Sequence, residues 1–141
     1  MISVKTMVLM FTGYILGVIV GNIILHIKKK KNTADDIHVK FCEEYVDRLE
    51  KVNNAILKVG EKASLEKNEQ LLLELLDLNQ TIVDESKTLN KSFFIGNKLI
   101  NRKFIGNLID KYGYIDSLEM SLTPEIKSAM LRVLELEKQH G

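Results

Sequence analysis

Apolar residues dominate positions 7–27, which hold no Asp, Glu, Lys or Arg and only Thr12, Asn22 and His26 as polar exceptions, and beyond them the hydrophobic pattern becomes periodic. At ~1.5 Å of rise per residue, a helix over this stretch is roughly 30 Å long, which matches the hydrocarbon core of a bilayer. A helix is also the only form in which one isolated segment satisfies all its backbone hydrogen bonds in lipid. We therefore predict a transmembrane anchor in residues 1–27, with about 7–27 in the membrane.

A cleaved secretory signal or a buried core helix would be the alternatives to an anchor. Signal peptides have an apolar region of about 7–15 residues that ends at small residues. Here the apolar stretch is longer, and a run of lysines stands where cleavage would occur. The run consists of Lys28, Lys29, Lys30 and Lys31. These features favour an uncleaved anchor.

The lysine run also predicts the orientation, because Lys5 is the only basic side chain before the apolar stretch. The positive-inside rule places the N-terminus outside and the remainder in the cytoplasm, at the plasma (inner) membrane. Anionic headgroups attract such a run, so membrane lipid is a predicted partner. We interpret residues 28–36 as a basic juxtamembrane hinge.

Three glycines recur at every fourth position of the predicted anchor. They are Gly13, Gly17 and Gly21, and they form two overlapping G-x-x-x-G steps. Residues four apart lie on one helix face, and small residues let membrane helices approach closely. Because glycine is common in membrane helices generally, the spacing rather than the composition predicts packing against a second copy or another membrane protein.

Residues 37–89 carry apolar positions at alternating spacings of three and four, which is the pattern of a helical seam. The seam residues are Cys42, Tyr45, Leu49, Val52, Ile56 and Val59. The pattern is shorter than a confident coiled coil requires, so its partner is either an identical chain or the next helix. We expect Gly60 to end the first helix and Ser64 to cap the second, which makes a helical hairpin or short coiled coil.

Residues 90–141 predict a small helical module that is basic first and acidic afterwards. Phe94-Ile95-Gly96-Asn97 is echoed ten residues later by Phe104-Ile105-Gly106-Asn107. On one helix these apolar side chains would point in every direction, so the segment is either buried on all sides or broken at the glycines. A hairpin at Gly96-Asn97 is the alternative, but we favour broken helices because the rest of the chain gives no sheet for a hairpin to join. Thr123 and Pro124 then predict the start of a final helix.

Composition supports an all-α fold, with a transmembrane helix, a helical hairpin or short coiled coil and a helical C-terminal module. Aromatic residues are few and Pro124 is the only proline, whereas a β-sandwich or barrel needs many turns. His38 and Cys42 are two ligands, too few for a zinc site. No phosphate-binding loop or nucleophile elbow is present, so we expect no cofactor and no enzymatic activity.

A basic segment over residues 87–111 follows an acidic one over 64–86. It offers a nucleic-acid or anionic-lipid surface, because phosphates attract basic side chains and exposed aromatics stack on unpaired bases. The candidate residues are Lys91, Lys98, Arg102 and Lys103. The opposing need is that the same aromatics must build the core of so small a domain.

These patterns predict a non-enzymatic scaffold, adaptor or inhibitor that joins membrane partners and presents a helical surface to a cytoplasmic protein. A small structural subunit of a larger membrane complex is a further alternative. The layout of anchor, basic flank, helical spacer and basic helical end resembles the membrane-anchored DNA-replication organisers of some phages. That resemblance implies a nucleic-acid tether, and it lies in the organisation alone. The abundance of Lys, Asn and Ile is typical of bacterial or phage proteins.

Overall fold

The computed structural model of the protein describes residues 36–96 and 99–140. Within these residues the chain forms five helices and one short two-stranded hairpin. The elements are α1 (Ile37–Leu65), α2 (Glu69–Phe93), β1 (Phe94–Ile95), β2 (Leu99–Ile100), α3 (Arg102–Tyr112), α4 (Tyr114–Ser121) and α5 (Pro124–His140). The predicted all-α class is therefore confirmed.

Across residues 36–96 and 99–140, none of the helices combines the length and the apolar character needed to cross a bilayer. The predicted anchor at 7–27 lies outside the described residues. The same holds for its glycines Gly13, Gly17 and Gly21 and for the run from Lys28 to Lys31. The membrane part of the prediction accordingly remains a prediction.

Helices α1 and α2 are antiparallel neighbours. The Tyr45 hydroxyl, near the start of α1, donates to Asn90 Oδ1 at 2.8 Å, near the end of α2. The Phe41 and Phe93 rings meet edge to face with centroids 5.1 Å apart. We call the end of this pair that holds Asp36 and Phe93 the near end, and the end with the α1–α2 turn the far end.

The boundary between α1 and α2 differs from the sequence prediction. Gly60 does not end the first helix, because α1 continues to Leu65 and buries Gly60 inside it. Ser64 is therefore not a cap, and the Asn68 side chain caps α2 by accepting from the Leu71 amide at 3.1 Å.

The six seam residues of α1 all lie in the core, each at most 1% exposed. Helix α1 contacts both α2 and α5, and α5 also packs along α2. The seam is thus filled by helices of its own chain, and no exposed area remains on it for a coiled coil with a second copy.

Phe94–Ile95 and Leu99–Ile100 pair as the two strands of a β-hairpin, where broken helices were the preferred prediction. Phe94 pairs with Ile100 and Ile95 with Leu99, antiparallel, and Gly96 has φ +60°. The preference for helices assumed that a hairpin needs a larger sheet to join. Here Phe94 and Ile100 instead bury themselves in the helical core, at 5% and 4% exposure.

The chain after the hairpin is helical, but the predicted break at Gly106 is wrong. Helix α3 runs through Gly106 without a break, and Gly113, at φ +79°, separates it from α4. Thr123 caps α5, since its Oγ1 accepts from the Ile126 amide at 3.3 Å. The apolar face of α5 is covered by α1 and α2.

Candidate functional site

Three polar side chains tie the start of α1 to the start of α3, and we call them the latch: Asp36, His38 and Arg102. Arg102 Nη1 forms an ion pair with Asp36 Oδ2. The His38 ring nitrogen Nδ1 lies 3.0 Å from Asp36 Oδ1, and the His38 amide donates to the same oxygen at 2.9 Å. A Cβ added to Gly106 would lie 3.4 Å from His38 Nε2, so α3 approaches α1 closely here.

The latch holds the Asp36 carboxylate in its charged form. Burial alone would raise the pKa of Asp36, whose side chain is only 10% exposed. Hydrogen bonds from Arg102 and from the ring and amide of His38, together with the Arg102 charge, outweigh burial and lower the pKa from 3.8 to about 2. Asp36 is therefore charged and bound to the folded module at ordinary pH.

The β-hairpin beside the latch has two unlike faces, because neighbouring residues of a strand point in opposite directions. Phe94 and Ile100 face the core. Ile95 and Leu99 form the other cross-strand pair and are 57% and 53% exposed. We call Ile95 and Leu99 the outer pair.

Asn101 holds the hairpin against the helices. Its backbone amide donates to the Phe93 carbonyl at 2.7 Å, and its side-chain Nδ2 donates to the Ser92 carbonyl at 3.0 Å. Its Oδ1 also accepts from the Phe104 amide at 3.3 Å, which caps α3. One side chain thereby fixes the hairpin to the end of α2 and begins α3 beside the outer pair.

Further apolar and basic side chains lie on the helix ends that meet at the near end. Ile37 begins α1 beside the latch and Phe104 lies in the first turn of α3, and both are partly exposed. Lys91, in the last turn of α2, and Lys103 are exposed as well. The near end thus combines apolar side chains with cationic ones, which is a composition suited to an anionic and partly apolar partner.

The basic residues predicted from sequence fall into three different situations. Lys91 and Lys103 are exposed, whereas the Arg102 guanidinium is bound to Asp36. Lys98 lies outside the described residues. Of the aromatics that could stack on bases, Phe93 and Phe94 are buried, and the Phe104 ring lies 6.1 Å from that of Phe93. The core takes most of the rings that the nucleic-acid interpretation needs.

The remaining polar groups give no metal-binding arrangement in the part of the chain that the structure describes. Cys42 is fully buried in the core, while His38 belongs to the latch. No three His, Cys, Asp or Glu side chains in residues 36–96 and 99–140 are grouped so that they could hold a metal ion.

The far end carries a shallow cleft of about 450 Å³ between the start of α2 and the end of α5. Arg132 lies in it and is held by both oxygens of Glu74, at 3.0 and 3.2 Å. This pairing raises the pKa of Arg132 and occupies its donors. The charged groups of the cleft are thus paired with each other, so the cleft has fewer unpaired groups for a ligand than the near end has.

Sequence reasoning missed the outer pair and the latch. The signal for the outer pair was the two short apolar runs Phe94-Ile95 and Leu99-Ile100 on either side of Gly96, and these runs indicate an exposed pair only once a hairpin is assumed. The latch joins residues 66 positions apart and carries no local signal.

Comparisons with protein-family models, curated proteins and solved structures found no match to this chain.

Proposed function

We propose that the protein is a single-pass membrane adaptor or scaffold, without enzymatic activity, whose helical module lies on the cytoplasmic face. The sequence supplies the anchor and its orientation, through the uncharged stretch 7–27 and the lysines that follow. The described residues supply a rigid helical module whose long seam is closed by its own helices. The module presents exposed helix faces to a protein partner.

The observation that carries this proposal is the latch at Asp36. The latch fixes Asp36 to the module. The link between the predicted anchor and the module therefore consists of residues 28–35. This link spans at most about 28 Å even when fully extended. The near end is therefore the end held close to the bilayer.

The arrangement predicts how copies of the chain would meet. Since the seam of α1 is buried, association between copies rests on Gly13, Gly17 and Gly21 in the anchor. Gathering modules on one membrane raises their effective concentration, so weak contacts with a cytoplasmic partner suffice. The glycines would equally receive the helix of a different membrane protein, as in a subunit of a larger complex.

Alkaline carbonate extraction of membranes tests the anchor. The full chain is expected to stay with the membrane pellet, and the double variant Val18→Arg, Ile19→Asp to be released, because a charge at the bilayer centre costs about 2.5–3.5 kcal/mol. The matched control, Val18→Leu with Ile19→Leu, should remain in the pellet. Release of the unsubstituted chain would contradict the proposal.

Crosslinking in native membranes tests the association. Replacing the three glycines by Ile should abolish the crosslinked species of the full chain, whereas Ile15→Leu, away from the glycine face, should leave it intact. A crosslinked species of twice the chain mass indicates a second copy, and one of any other mass indicates a different membrane protein. Crosslinks that survive the glycine substitutions would contradict a glycine interface.

A further inference from the structure

We infer that the near end docks on the anionic phospholipid surface of the membrane, with the outer pair Ile95 and Leu99 inserted among the headgroups. This inference rests on the proposed function, because it assumes that residues 7–27 are in the same membrane. It adds a second, peripheral contact with lipid and thereby fixes the orientation of the module.

The first argument concerns the apolar side chains of the hairpin. A two-stranded hairpin is marginally stable alone, and this one packs only its inner face on the helices. The outer pair places two large aliphatic side chains opposite each other, more than half exposed, with Phe104 following in the next element. Single exposed apolar residues are ordinary, but a cross-strand pair at one end of the module is a surface that a partner would cover.

The second argument concerns the position of the outer pair along the chain. Asn101 ties the hairpin to the end of α2, and Arg102, the next residue, is bound to Asp36. The outer pair therefore lies at the end of the module where the link to the predicted anchor begins. That link reaches about 28 Å at most, which keeps this end within short range of the headgroups.

The third argument concerns charge. Lys91 and Lys103 are exposed on the two elements that flank the hairpin, α2 and α3, and the nearby carboxylate of Asp36 is neutralised by Arg102. An apolar contact beside cationic side chains is the combination with which peripheral segments bind anionic bilayers. A second copy of this surface would bring like charges together, which disfavours self-association through it.

The test is a fluorescence measurement on the full chain in lipid nanodiscs that hold one copy each. An environment-sensitive fluorophore is attached at Leu99→Cys, and lipids that carry a quencher report contact with the bilayer. The discs contain phosphatidylcholine with one-quarter phosphatidylglycerol. Cys42 is fully buried, so the unsubstituted chain serves as the labelling blank.

The matched control is the same fluorophore at Leu65→Cys. Leu65 is also exposed, but it ends α1, a helix of 29 residues. At ~1.5 Å per residue that helix is about 43 Å long, so the control lies far from the bilayer. We expect the lipid quencher to reduce the fluorescence at position 99 about two-fold or more, with a blue shift, and to leave position 65 unchanged.

The possible results separate the two proposals. If the chain enters the discs but the fluorophore at position 99 is neither shifted nor quenched, the docking inference is wrong and the anchor stands. A blue shift without lipid quenching means that protein covers the outer pair, which also overturns the inference. If the chain does not enter the discs at all, the proposed anchor has failed instead.

A charge substitution gives an independent test of the docking. Lys91→Glu with Lys103→Glu should lower the quenching at position 99 at least about two-fold, because it replaces attraction to phosphatidylglycerol by repulsion. Lys58→Glu with Lys62→Glu, on the far half of α1, should leave it unchanged. Equal quenching in both double variants would contradict a charge-assisted contact.

Discussion

The near and far ends of the α1–α2 pair are closed in different ways. At the far end, a three-residue connection joins the helices, with Lys67 at φ +53°, and Arg132 of α5 pairs with Glu74. At the near end, a hairpin and α3 cover the helices, and the outer pair remains exposed. Each end carries an ion pair, and Leu65 is also exposed at the far end. Among the described residues, only the near end has two exposed aliphatic side chains opposite each other on paired strands, which is why we place the near end at the membrane.

Phe93→Ala is the substitution expected to have the largest effect. Phe93 is fully buried, and its ring meets Phe41 and Tyr45 edge to face at 5.1 and 4.9 Å. Removing it leaves a cavity where the near end is joined to the helices, and should lower the free energy of unfolding by about 3–5 kcal/mol. Urea denaturation measures this. Leu131→Ala, at an exposed site of α5, should change it by less than about 0.5 kcal/mol.

Asn79→Leu should act in the opposite direction. Asn79 lies fully buried midway along α2, and neither its Nδ2 nor its Oδ1 has a hydrogen-bond partner in the structure. A leucine side chain is of similar size and needs no hydrogen bonds, so the substitution removes the cost of burying an amide without partners. It should raise the free energy of unfolding by about 1–2 kcal/mol. A loss of stability in urea denaturation would mean that the amide is bonded, for instance through water. Gln80→Leu, exposed beside it, is the control.

Arg102→Ala should loosen the near end alone. The Asp36–Arg102 pair involves an Arg side chain that is 44% exposed, so solvent screening limits the expected loss to about 1 kcal/mol. The pKa of Asp36 should rise from about 2, because burial then acts with less opposition. NMR titration of the carboxyl measures this. Arg48→Ala removes the ion pair with Glu119 and should leave the pKa of Asp36 in place.

The same pair predicts a dependence of stability on pH. The pKa of Asp36 is lower in the folded chain than its ordinary value of 3.8, so the pair stabilises the folded chain fully above about pH 4. That contribution is lost as the pH falls from about 4 through about 2. Arg102→Ala should flatten this part of the stability profile, and an unchanged profile would show that Asp36 is not the group responsible.

The smallest effect is expected for nucleic acid. Phe93 and Phe94 are buried in the core and cannot stack on bases. We therefore expect the chain to show no salt-dependent binding to DNA, either before or after Lys91 and Lys103 are replaced by Ala. A nucleic-acid tether would instead show binding whose salt slope falls by about one for each lost phosphate contact. Titration of labelled single- and double-stranded DNA over a range of salt concentrations distinguishes the two outcomes.

The long helices follow from the sequence because their burial is periodic. The three-four spacing from Cys42 to Val59 reports which side of α1 is covered, although it does not report that α5 does part of the covering. The same spacing does not show what Gly60 does, because glycine often follows the end of a helix, whereas here it lies buried inside one.

The near end could not be predicted in the same way. Its strands have two residues each, too few for a period to appear, and their pairing depends on Phe94 and Ile100 finding space between helices. The latch depends on contacts between Asp36 and Arg102 that only the folded chain brings together. The local sequence pattern therefore predicted the long helices, whereas the candidate site depends on packing between residues far apart in the chain.

Protease treatment of sealed cells tests the central claim most directly. With a tag at each end of the full chain, protease added outside should remove the N-terminal tag and leave the C-terminal tag and the module intact until the cells are opened. Digestion of the C-terminal tag in sealed cells would contradict the account, because the module and its near end would then lie on the other face of the membrane.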